Sequence, residues 1–175
     1  MISVRFAAAL AAAALLASGI AVAEGAKPND AQIAHIAYTA GQIDIAAADQ
    51  ALQKSSNKDV RAFAEDMQRD HKAVNDKALA LVKKLGVTPE DNDTSKALSK
   101  QAADKRADLA KLSGAAFDKA YIDNEVAYHK TVDGALQNTL IPSASNAELK
   151  DLLQTGLKIF EGHLQHAEHV AAEFK

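Results

Sequence analysis

Apolar residues recur alternately four and three positions apart along most of the chain. One series is Val60, Ala64, Met67, His71, Val74, Ala78, Leu81 and Leu85; another is Leu149, Leu153, Gly156, Phe160, His163, Ala167, Val170 and Phe174. The same step picks out Ile122, Glu125, His129, Val132, Leu136 and Thr139, and Ile33, Ala37, Ala40, Asp44, Ala47 and Ala51. Such spacing puts one stripe on each of four helices, the seam that helices turn toward a shared core. In the first helix Ile36 and Ile43 argue for a stripe rotated by one residue.

The ends of these helices are marked by their own chemistry. Pro28 precedes Asn29, which with Gln32 forms a capping box, so helix A is predicted from Asn29 to about Lys54. Ser56 or Asn57 caps helix B, which runs to Leu85, with Lys83 and Lys84 in its last turn and Gly86 past it. Gly86 to Ser95, with Pro89, is the longest loop, and a shorter helix is expected from Lys96 to Lys111. Helix C follows from Ala115 to Leu140, where Ile141-Pro142-Ser143 ends it. Ser145 and Glu148 suggest a capping box for helix D, which reaches the C-terminus. The fold class is therefore all-α. The expected architecture is a ferritin-like antiparallel four-helix bundle, with a long B–C crossover carrying the short extra helix.

The first residues are patterned differently. Arg5 is followed by the uncharged, Ala-rich run Phe6–Ile20 and then by Ala21-Val22-Ala23. This is the layout of a secretory signal, with cleavage expected between Ala23 and Glu24. Residues 1–23 are read as the signal peptide and 24–175 as the bundle domain, delivered to the periplasm. A retained membrane anchor is the competing reading, but the run is short for a span of about 20 residues.

Removing the signal leaves 19 basic against 23 acidic groups, a charge of −4. With no basic patch interleaved with aromatics, nucleic acid is not an expected partner. The chain has no Cys, which excludes thiolate metal sites, thiol catalysis and a lipid-anchored N-terminus.

Each seam carries a polar residue near its middle: Asp44, His71, Glu125 with His129, and His163. A helical rise of about 1.5 Å per residue sets Asp44 and His71 roughly 18 and 22 Å from the A–B turn. Glu125, His129 and His163 lie roughly 24, 18 and 26 Å from the C–D turn. All five can therefore meet in one mid-bundle layer. Burying such groups unpartnered costs several kcal/mol, so they satisfy one another or surround something that binds them. Imidazoles and carboxylates converging from four helices suit a transition metal: Fe, Mn, Zn or Cu. The competing reading is a hydrogen-bonded network that only fixes packing. Asp70, beside His71, faces about 100° away and reads as a supporting or surface acid. His166 and His169 continue a His-rich stretch along helix D and read as flank or surface residues, as does His35. No Gly-rich phosphate loop, nucleophile elbow or His-Glu-x-x-His motif is present, so an enzyme is the weakest of three readings. A peripheral membrane or protein partner and the oligomeric state are left open.

The segments Phe63-Ala-x-x-Met67-x-x-Asp70-His71, Gly114-x-x-Phe117-Asp118-x-x-Tyr121-Ile122, Val126-Ala-Tyr-His129 and His163-Leu164-Gln-His-Ala167 resemble the bacterial family called domain of unknown function 4142. The resemblance extends over nearly the whole chain after the signal. It implies an exported ferritin-like bundle and assigns no activity. Members commonly carry Glu where this chain has Asp44. The di-iron ferritin pattern needs Glu-x-x-His on two helices. Here the residues three before His71, His129 and His163 are Gln68, Val126 and Phe160, so ferroxidase activity is not implied.

Overall fold

The computed structural model describes residues 27–174, and the expected signal peptide, 1–23, lies outside them. The described residues are helical and form a bundle. The long helices are α1 (Asp30–Lys54), α2 (Lys58–Leu85), α4 (Gly114–Ala135) and α6 (Ala147–Ala172). Helix α3 (Asp93–Ala110) lies in the long link between α2 and α4 and packs on α1. Helix α4 passes into a π-helical turn, Leu136–Leu140, and then the single turn α5 (Ile141–Ser143). Helix α1 packs on α2, α2 on α6, α6 on α4 and α4 back on α1, closing a ring of four.

Local chemistry sets most boundaries as expected. The Asn29–Gln32 capping box is formed in both directions, and Asn57 is the cap of α2, accepting from the Asp59 and Val60 N–H groups. Gly86 closes α2 at φ 65°, a conformation glycine takes without strain.

Four expectations need correction. Helix α3 starts at Asp93, three residues before Lys96, because Asn92 and Ser95 form a reciprocal capping box. Helix α6 is capped by Asn146, whose side chain accepts from Leu149 N–H at 3.0 Å, and no Ser145–Glu148 box forms. The Ser145 and Asn146 N–H groups instead donate to the Asp30 carboxylate at 2.8 and 2.9 Å, and Glu148 pairs with Lys84. The third correction concerns the end of helix C, which runs on past Leu140 to Ser143 and takes Pro142 into its last turn. The wider π turn lies just ahead of Pro142, where the ring would otherwise meet the carbonyl of residue 138. Asn138 donates its side-chain amide to the Gly134 carbonyl at 2.8 Å beside this slip in the ladder.

The fourth correction is to the α2 seam. Val60, Met67 and His71 are buried as expected, but Val74 and Leu81 are only half-buried, and Asn75 and Val82 take the interior positions. A straight α-helix drifts about 20° per heptad against a strict seven-residue repeat, so the stripe slips by one residue. The slip brings Asn75 against Gly41, where a Cβ would come within 2.5–2.9 Å of the Asn75 side chain. In α1, Ile36 is buried in place of Ala37, but Ile43 is half-buried and Ala40, Asp44, Ala47 and Ala51 are buried, so the rotation holds only in the first turns.

The core falls into two clusters. One, around Phe63, Met67, Phe117, Tyr121 and Ile122, fills the end near the α1–α2 turn; the other, around Ile33, Leu136, Leu149, Leu153 and Phe160, fills the opposite end.

Candidate metal centre

Between the two clusters lie Asp44 from α1, His71 from α2, Glu125 and His129 from α4, and His163 from α6. All are buried, none more than 6% exposed. The layer expected from the seams therefore exists. Its elements point these residues inward for the reason that they point Met67 or Leu153 inward: each sits on the stripe its helix buries.

The three imidazoles form a triangle, with ring centroids 5.9 Å apart for His71–His129, 5.2 Å for His71–His163 and 5.6 Å for His129–His163. One potential ligand atom from each lies within 4.8 Å of the others. A second trio, Asp44, Glu125 and His129, meets the same limit, so His129 belongs to both. Asp44 Oδ2 is 3.2 Å from His71 Nε2, which ties the trios together.

The outer nitrogens of two rings are held. His129 donates from Nδ1 to the Glu125 carbonyl oxygen at 3.0 Å, and His163 donates from Nε2 to Asp70 Oδ2 at 3.0 Å. Asp70 in turn is paired with Arg69 at 2.8 Å. These partners set the tautomers, leaving a lone pair on His129 Nε2 and on His163 Nδ1. Both atoms are buried and without a hydrogen-bond partner, as are the two His71 nitrogens, Asp44 Oδ1 and Glu125 Oε2. The His71 ring is stacked flat on Phe160, 4.4 Å between centroids at 12°, which fixes its plane.

Burial sets the charge state. Desolvation lowers the pKa of all three histidines, that of His129 to about 4 and that of His71 well below its ordinary value. They are neutral at pH 7, the form that ligates metals. Desolvation raises both carboxyls, Glu125 to about 7 and Asp44 well above the usual range, where the neighbouring Glu125 adds to the effect.

Reasoning from sequence missed Asp133. It is buried on α4, both its oxygens lack a partner, and desolvation with nearby Glu161 raises its pKa to about 7. The signal available was the strict four-residue step Glu125, His129, Asp133, which the seam's three-residue step to Val132 obscured. Asp70 acts as a supporting acid, for His163 on another helix. His166 is half-exposed, 3.5 Å from Asp66; His169 is exposed and His35 half-buried.

A family model described as Domain of unknown function (DUF4142) matches residues 16–170. The chain is similar in structure to a DUF305 fragment from Deinococcus radiodurans. The TM-score is 0.72 at 15% identity, over 82% of this chain and 95% of that one, a likeness of fold alone. No curated protein matches the chain.

Proposed function

The chain belongs to the family described as Domain of unknown function (DUF4142), and from that footing we propose that it is an exported, ferritin-like bundle that binds a transition metal ion in the periplasm. The observation that carries this reading is the triangle of neutral imidazoles, each with a buried nitrogen that no hydrogen bond satisfies. Leaving such atoms unpaired is costly. An ion satisfies all three at once, with bonds of about 2 Å. His71, His129 and His163 are the proposed nitrogen ligands. Asp44 and Glu125 supply a carboxylate and the charge to balance the cation. The hydrogen bonds that His163 donates to Asp70 and His129 to the Glu125 carbonyl are the outer support that orients ligating histidines. The mixed nitrogen and oxygen set fits Zn, Cu, Fe or Mn. Export rests on the charged start, apolar run and Ala21-Val22-Ala23 site of the leader.

The 3.2 Å approach of Asp44 to His71 supports a second reading, a metal-free network that only specifies packing. Titration of chelator-treated protein with each of the four metals separates the two. The metal reading expects saturable binding, a melting temperature raised by mass action, and loss of both in His71→Ala and His163→Ala. An unchanged melting temperature in excess of every metal rejects it. The packing reading then expects the same substitutions to destabilise the protein by about 1–3 kcal/mol through partners left unsatisfied.

A further inference from the structure

A cavity of about 220 Å³ lies beside the polar layer, in the half of the bundle that holds the starts of α1, α3 and α6. Its lining is almost wholly apolar. No Lys, Arg or His among the described residues contributes to it, and its one ionisable lining group is Asp93, exposed at the rim. Gln32, Asn92 and Thr94 stand beside Asp93 at that end. The walls of the cavity extend along the bundle axis. On α1 its lining runs from Gln32 to Ala40 and on α6 from Leu149 to Phe160, which at about 1.5 Å per residue is roughly 12–16 Å along the bundle axis. The π turn supplies part of one wall through Leu136, Thr139 and Leu140. Such turns often occur at functional sites. Phe160, at the inner end, is the ring stacked on His71.

An apolar cavity of about 150 Å³ already suffices to hold a benzene ring and to stay free of water. This one is larger, and away from its outer end the polar side chains on its walls are Thr139 on the π turn and Asn75, whose amide donates to the Tyr38 carbonyl at 3.4 Å. We propose that it binds one unbranched alkyl chain with an uncharged polar head. The chain lies along the bundle axis, its tail reaches Phe160, and the head meets Gln32, Asn92 and Thr94. The absence of a lining cation and the presence of Asp93 select against a carboxylate head.

The test is calorimetric titration of the protein, as recovered from expressing cells, with 1-octanol and with octanoate. The expected result is one octanol per chain with a raised melting temperature, and octanoate binding at least tenfold weaker. Gly156→Leu and Ala78→Leu each add bulk to the lining, and at least one folded variant should lose octanol binding. A Cβ at Gly156 meets Phe160 and Val74 at 3.4–3.8 Å, so the added side chain starts at ordinary contact distance. No octanol binding, equal binding of octanoate, or unchanged binding in both variants overturns the proposal. Binding that appears only after residues 1–23 are removed assigns the cavity to the chain's own leader and overturns it too. Zinc titration of the same samples keeps the two readings apart. Octanol binding without zinc binding leaves this inference standing and rejects the metal centre.

Discussion

The hydrogen bond that His163 donates to Asp70 decides which of its nitrogens faces the interior, so a half-exposed acid on α2 controls a buried ring on α6. Asp70→Asn keeps an acceptor but removes the charge. Metal affinity measured by competition with a chelator should fall about 10–100-fold, the usual cost of losing such support, with the fold intact. The buried groups also predict how the metal-free protein responds to pH. His129 titrates at about 4 in the folded state against 6.5 unfolded, so the unfolded chain binds more protons between those values. Its contribution to stability is lost as pH falls through that window. Glu125, at about 7 against 4.5, does the opposite: the folded state holds the extra proton, and stability is lost as pH rises from 4.5 to 7. His71 and His163, also lowered, act with His129, and Asp44 and Asp133, also raised, act with Glu125; the two sets oppose each other in the mildly acidic range, and only the carboxyl decline continues above 6.5. Melting temperatures in chelator from pH 4 to 8 should therefore fall on both sides of a mildly acidic maximum, and Glu125→Gln should flatten the alkaline side. A profile that climbs steadily to pH 8, with Glu125→Gln leaving it unchanged, would reject a protonated Glu125 in the folded protein. At this scale the five layer residues were legible, because a polar side chain on an apolar stripe is conspicuous. The Asp70–His163 pairing was not, because it joins residues 93 apart across two helices.

Among the elements, the four long helices follow from their stripes and caps, and the errors fall where two cap signals compete or where a stripe drifts. Ser145 with Glu148 reads as a capping box, yet Asn146 takes the role, since the Asp30 carboxylate occupies the Ser145 and Asn146 N–H groups and Lys84 draws Glu148 away. This makes a sharp prediction. Asn146→Ala should destabilise the protein by about 1 kcal/mol in denaturant unfolding, and Ser145→Ala should change it by less than about 0.5 kcal/mol. The reverse ranking would return the cap to Ser145. The π turn was illegible for a different reason. Leu136 to Leu140 carries ordinary helix-forming residues, and nothing in their spacing separates a widened turn from a plain helix end ahead of Pro142.

At the scale of the whole molecule, the sequence located four helices, a crossover and a mid-bundle polar layer, but not which side chains fill the two apolar clusters on either side of it. Cluster membership depends on which stripes drift, as at Asn75 and Val82, and only packing reveals that. The proposed export carries its own prediction: intact-mass measurement of the periplasmic protein should give a chain beginning at Glu24, and a membrane-bound chain retaining residues 1–23 would reject it. The five layer residues come from four helices, Asp44 with His71 on the first hairpin and Glu125, His129 and His163 on the second. Neither hairpin alone assembles the imidazole triangle, so the centre comes into being only when the two hairpins close on each other. A chain threaded across a membrane before it folds would thus travel without its ion. Its choice among competing metals would be made by whatever the receiving compartment holds at the moment of closure.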